Sequence, residues 1–243
     1  MLGGSEILIL LLAVAVLFVL PRVQRTLEQG VDEKALGDEA FAAISKRQRV
    51  LRLDEGEPPA ILTRFAKVRQ LRVRNYSVHV SDERGVNALA LPGGIVLLTA
   101  DLLALRRGGE MTKDELAAVL AHEMGHIELG HSRRQHVRST MSAWATRLGP
   151  TPGGPLGRMA MSVGIGALQK RASRDAEKEA DAWAADLLRD AGYDERALAT
   201  FLARTAAWGT AGGLWSTHPS PALRIEALEA HRREAAQGAG RVA

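Results

Sequence analysis

Cysteine is absent from the 243 residues. That excludes a disulfide scaffold, a thiol nucleophile, thiolate metal sites and a lipid-modified cysteine anchor. Aromatic residues make up only 4%, so a core must be built from Leu, Val, Ala and Ile. Neither sign of charge dominates: 32 Lys and Arg stand against 28 Asp and Glu, a net charge of +4 with both signs interspersed. Such a balance argues against a nucleic-acid partner. No internal repeat is visible. Hydrophobic residues at 46% and charged residues at 25% are the composition of a folded globular chain, not a disordered one.

One long apolar run is present. Ile7 to Leu20 are fourteen apolar residues without a charge. As a helix they span roughly 21 Å, against about 30 Å of bilayer hydrocarbon. No Lys or Arg precedes the run, and Pro21-Arg22-Val23-Gln24-Arg25 behind it offers no small-x-small cleavage site. The expectation is an uncleaved single-pass anchor over residues 1–24, with membrane lipid as its partner. Arg22 and Arg25 then place the body on the cytoplasmic side by the positive-inside rule, on the strength of two residues. Residues 25–236 read as one domain and 237–243 as a flexible tail.

The body opens with charge and apolar positions alternating at helical spacing over 22–70, with a break at Glu57-Pro58-Pro59. A hairpin is expected next. Tyr76, Val78 and Val80 alternate with polar residues; after a turn at 81–85, Val86, Ala88 and Ala90 alternate in the same way. Pro92-Gly93-Gly94 marks a second turn, and Ile95 to Thr99 a buried strand. Thr112 and Glu115 form a capping box ahead of an apolar stripe at Leu116, Leu120 and Ile127. A later helix starts near Ser173 with a stripe at Ala176, Ala180, Trp183, Ala184 and Leu187, and stops at Gly192. Residues 195–210 and 221–236 also read as helical. Between them lie a Gly/Pro-rich loop over 149–155, an irregular apolar segment over 159–168, and Trp144, Trp208 and Trp215, for which packing is the default role. The fold class is α+β, mostly helical, with a small antiparallel sheet.

The chemistry concentrates on two helices. His122-Glu123-Met124-Gly125-His126 is HExxH. Residues four apart on a helix differ by about 40° in direction, so both imidazoles face one point, where a Zn²⁺ ion can be bound. Glu123 lies between them, near enough to act on a water in the site. A catalytic zinc needs a third protein ligand and an open position. His131 does not fit HExxHxxGxxH, since Leu129 and Ser132 stand where that pattern has Gly and His, and it points about 140° from His126 on a continuing helix. It is expected on the surface. Glu177 and Asp181, four apart at the edge of the later stripe, are better placed: one can bind zinc while the other takes the N–H of a ligating histidine. Glu179 points the other way and reads as solvated.

Four segments in order, Asn87–Gly94 (NALALPGG), HExxH, Ser173–Asp181 (SRDAEKEAD) and Thr217–Ile225 (THPSPALRI), resemble the HtpX, CAAX-prenyl-endopeptidase and BepA-like zinc peptidases, metallopeptidase family 48 of the gluzincins. The resemblance covers roughly residues 70–230. It implies a zincin-type metalloendopeptidase with one Zn²⁺ per chain, His122, His126 and Glu177 as ligands and Asp181 behind them. It also places His218 and Arg224 in the active site. On this reading Glu123 is the general base and His218 the donor to the oxyanion. Arg224 holds the loop or the substrate, and substrate adds as a strand along Asn87 and Ala88. Substrate class is not inherited. Unfolded or misfolded polypeptide in quality control is the first expectation. A dedicated maturation protease and a non-catalytic zinc-dependent chaperone or binding module are the alternatives.

Overall fold

A computed structural model describes residues 20–147, 173–206, 218 and 221–239. The expected anchor run up to Val19, the 149–155 loop, the 159–168 segment, Trp208, Trp215 and the side chain of Trp144 lie outside the described residues. Among those described, no helix is long and apolar enough to cross a membrane.

In chain order come α1 (Leu20–Gln29), α2 (Glu33–Ser45), β1 (Val50–Leu53) and α3 (Glu57–Val68), then β2 (Ser77–Ser81), β3 (Ala88–Leu91) and β4 (Ile95–Thr99). The helices α4 (Ala100–Arg107), α5 (Lys113–Glu128), α6 (His131–Arg147), α7 (173–190), α8 (Ala197–Ala206) and α9 (Pro221–Ala239) follow. The α+β class holds, but the sheet is mixed, not antiparallel, with strand order β1-β2-β4-β3. β2 pairs parallel with β4, while β1 with β2 and β3 with β4 are antiparallel.

The expected β2–β3 hairpin does not form. β4, the most continuously apolar strand, sits between them, with Val96 and Leu98 fully buried. An apolar run seeks the middle of a sheet, where both of its edges are paired. The turn after Ser81 instead meets β1: Asp82 N donates to Arg49 O at 3.1 Å, and Arg49 N to Asp82 Oδ1 at 3.0 Å. β1 lies inside the stretch read as helical. Leu51 in it is 54% exposed, so it carries little burial signal. Pro58 and Pro59 open α3 instead of breaking a helix, since the first helical turn has no use for their missing N–H groups.

α5 is the central element. Thr112 caps it with the full capping box, and nearly every position from Glu115 to Ile127 is buried, not one stripe alone. A helix apolar on all sides belongs inside. It packs against α3, α8, β3 and β4. The largest buried side chains around it are aliphatic apart from Phe65 and Phe201, as the scarcity of aromatics requires. Against α7 it uses Gly125, where a Cβ would stand 3.1 Å from Ala180 O and 3.3 Å from the Trp183 ring. That close approach brings the HExxH face next to Glu177 and Asp181.

Candidate metal centre and active site

His122, His126, Glu177 and His218 converge, their donor atoms all within 4.8 Å of one another. His122 Nε2 lies 3.1 Å from His126 Nε2, 3.3 Å from His218 Nδ1 and 3.5 Å from Glu177 Oε2. His126 Nε2 is 3.4 Å from Glu177 Oε1, and His218 Nδ1 is 3.0 Å from Glu177 Oε2. Zinc–nitrogen bonds of about 2.0–2.1 Å give a tetrahedral donor shell edges of about 3.3–3.4 Å. These five separations, 3.0–3.5 Å, are close to those edges, while the widest pair in the cluster lies within 4.8 Å. Imidazole nitrogens this close are tolerated only with a proton or a cation between them, so the residues fit a divalent metal.

The surroundings set each group's charge. Asp181 Oδ1 accepts from His122 Nδ1 at 2.8 Å, which leaves His122 Nε2 facing the cluster. Burial and the Arg224 charge oppose a proton on His122, but Asp181 and Glu177 outweigh them and lift it to about 9. A metal ion entering the site must displace that proton. Burial holds His126 down at about 3, so its imidazole is neutral, as a ligand must be. Burial raises the Glu177 carboxyl, yet its contacts with His122, His126 and His218 outweigh it and hold the group well below the usual carboxylate range. Arg224 is 3% exposed and grips Asp181 with two bonds, Nε to Oδ2 at 2.8 Å and Nη2 to Oδ1 at 2.7 Å. Its Nη1 is 3.3 Å from Glu177 Oε2.

Glu123 stands apart from this network. It is 1% exposed, and neither carboxylate oxygen has a hydrogen-bond partner. His218 Nε2, which also has no hydrogen-bond partner, lies 3.4 Å from Glu123 Oε1. A buried carboxylate without a donor is costly, and proteins keep such groups where chemistry uses them.

Residues 53–232 match peptidase family M48. The chain belongs to that family. M48 membership implies a divalent metal, and the donor cluster is where this chain can hold it. Among curated relatives, the metalloprotease LoiP of Escherichia coli is 30% identical over 159 residues, covering 63% of this chain and 60% of that protein. The metalloprotease YcaL of Escherichia coli is 28% identical, covering 63% of this chain and 59% of that protein. The mitochondrial metalloendopeptidase OMA1 of Schizosaccharomyces pombe is 28% identical, covering 81% of this chain and 60% of that protein. The chain thus spans about three fifths of the length of the curated relatives it matches. A crystal structure of S. mikatae Ste24p aligns with a TM-score of 0.42 at 19% identity, covering 91% of this chain and 55% of that one.

The M48 chain brings together His122, Glu123, His126, Glu177, Asp181, His218 and Arg224. Three placements add to the sequence reading or differ from it. His218 brings Nδ1 to the donor cluster, a candidate fourth donor beside the three ligands expected, and its Nε2 to 3.4 Å from Glu123. Arg224 is enclosed against Asp181 instead of reaching a substrate or a loop. His131, expected on the surface, is 6% exposed and touches His126; Glu179 is solvent-exposed as expected and lies 3.2 Å from His131 Nε2. Asn87 and Ala88 lie at the start of β3, which among the described residues is the last strand of the sheet. On an unbroken helix His131 would point about 140° from His126. α5 ends at Glu128, and Gly130 at φ 68° turns the chain before α6 begins. The glycine after the last apolar position was the signal available.

Proposed function

We propose that this M48 chain is a membrane-anchored zinc metalloendopeptidase, with one Zn²⁺ per chain, that hydrolyses peptide bonds in unfolded or misfolded polypeptides. The observation that carries the reading is an unpartnered, buried Glu123 beside four converging metal donors. Zinc at this centre would supply Lewis-acid polarisation of the scissile carbonyl and an acidified water. Glu123 takes the proton of that water and returns it to the leaving amine, and its lack of other donors keeps its oxygens free for the task. Asp181 and Arg224 hold His122 in place. His122, His126 and Glu177 would hold the metal, and His218, whose Nδ1 meets the same cluster and whose Nε2 lies 3.4 Å from Glu123, would be the donor to the developing oxyanion. The apolar run at the N-terminus supports membrane attachment by residues 1–24.

The purified full-length protein in detergent is expected to degrade casein, to stop when a chelator strips it, and to recover when zinc is returned to one ion per chain. Cleavage that persists in metal-free protein overturns the metalloprotease. Zinc binding without casein cleavage moves the reading to a dedicated maturation substrate, or to a zinc-dependent binding module.

Substrate is proposed to add as an extended strand beside β3. Thr99 N donates to Asn87 O at 3.0 Å and Asn87 N donates to Thr99 Oγ1 at 3.0 Å, so alternation along an antiparallel pair turns the Ala88 N–H to the outer edge, where Asn87 Oδ1 accepts from it at 3.0 Å. Ala88→Pro removes that outer donor without touching the ladder to β4. Its expected effect is a several-fold rise in KM with kcat little changed. An unchanged KM rules out pairing at this edge.

A further inference from the structure

We propose that His131 and Glu179 act together as a positioning bracket for the metal ligand His126, fixing its tautomer and its ring plane. The proposal rests on the metalloprotease reading above and adds two residues to it. The turn at Gly130 brings the first residue of α6 back against the last turns of α5, so that His131 Nδ1 lies 2.8 Å from His126 Nδ1. The rings meet edge to face, with centroids 4.8 Å apart and planes at 75°. On the far side, His131 Nε2 is 3.2 Å from Glu179 Oε2. That oxygen also accepts from Arg134 Nη2 at 2.9 Å.

The hydrogen bonds along this chain can run in one direction only. An ionised carboxylate accepts and cannot donate, so His131 Nε2 carries the hydrogen. A neutral His131 then has a bare Nδ1, and its contact with His126 is a hydrogen bond only if His126 Nδ1 donates. His126 is left with a bare Nε2, the atom that faces Glu177 and His122. Glu179 thus dictates, through one imidazole, which nitrogen of His126 is offered to the metal. Asp181 does the same for His122 directly. The two HExxH histidines are set by different devices, a carboxylate 1% exposed for one and an imidazole relay ending on a carboxylate 53% exposed for the other. His126 is the ligand whose orientation depends on the α5–α6 turn.

Zinc affinity of the full-length protein, read by competition with a chromophoric chelator, tests this directly. His131→Ala is expected to weaken zinc binding by about 10–100-fold, the usual effect of losing a partner of a ligating histidine. His131→Asn, whose side-chain carbonyl can accept from His126 Nδ1, is expected to recover most of that loss. Glu179→Ala is expected to lose less than His131→Ala, because the imidazole contact survives. A purely structural role for His131 predicts a different pattern: lowered Tm of the metal-free protein in both His131 variants, with zinc affinity unmoved once folded. Wild-type affinity in His131→Ala and Glu179→Ala overturns the bracket and leaves the metalloprotease reading intact. Failure of the wild-type protein itself to bind zinc overturns that reading instead.

Discussion

Glu123→Gln is expected to lower kcat on casein by about 10²–10⁴-fold, the range lost when a positioned proton-transfer group is removed. Zinc content should stay at the wild-type level, because Glu123 is not among the donors. The fold should survive as well. Glu123 is 1% exposed and makes no hydrogen bond, so the neutral amide removes an unpaired charge from the interior. A Tm equal to or above that of wild type, with activity gone, is the signature of a residue kept for chemistry. Activity within a few-fold of wild type would show that another group takes the proton and would overturn Glu123 as the base.

Arg224→Ala is expected to destabilise the protein by about 3–5 kcal/mol, the cost of stripping one partner from a buried ion pair. For a domain of this size that corresponds to a fall in Tm of roughly 6–20 °C. The guanidinium is 3% exposed and Asp181 is 1% exposed, so water cannot replace the two lost bonds. Arg224→Lys should recover little, since an ammonium cannot make the paired contact. The pH dependence gives an independent reading. Burial raises the Asp181 carboxyl, but the Arg224 charge and its hydrogen bonds outweigh that and hold it below its ordinary value of 3.8. A depressed carboxylate contributes stability that is present above 3.8 and lost as pH falls through the lowered value. Thermal melts at pH 7 and in the acid range should therefore differ less for Arg224→Ala than for wild type. Equal acid sensitivity in the two proteins would show that Asp181 draws its stabilisation from elsewhere.

Much of the site was legible because its spacing is local. His122 and His126 are one helical turn apart, Glu177 and Asp181 likewise, and the capping box at Thr112 announces the helix that carries the first pair. A helical period of 3.6 residues converts such spacings into directions without further information. The same reasoning failed wherever the chain left the helix. A continuing helix would point His131 away from His126, but α5 ends at Glu128 and the turn after it brings the two rings together.

The sheet shows the same division. Alternation over Ser77–Ser81 and Ala88–Leu91 marked two strands, and the apolar run Ile95–Thr99 a third. Alternation says which face of a strand is buried, but not which strand lies beside it, and β4 took the place between β2 and β3 because it had the most apolar surface to cover. By itself, then, the sequence determined the HExxH histidines on α5 with Glu123 between them, the carboxylates on α7 and the family to which they belong. The tertiary structure decided the strand order, the burial of Arg224 against Asp181 43 residues away, the meeting of His218 with His122 across 96 residues, and the bracket between His131 and Glu179 across 48. Such contacts depend on how separate elements pack against one another, and no periodicity within a single element encodes that.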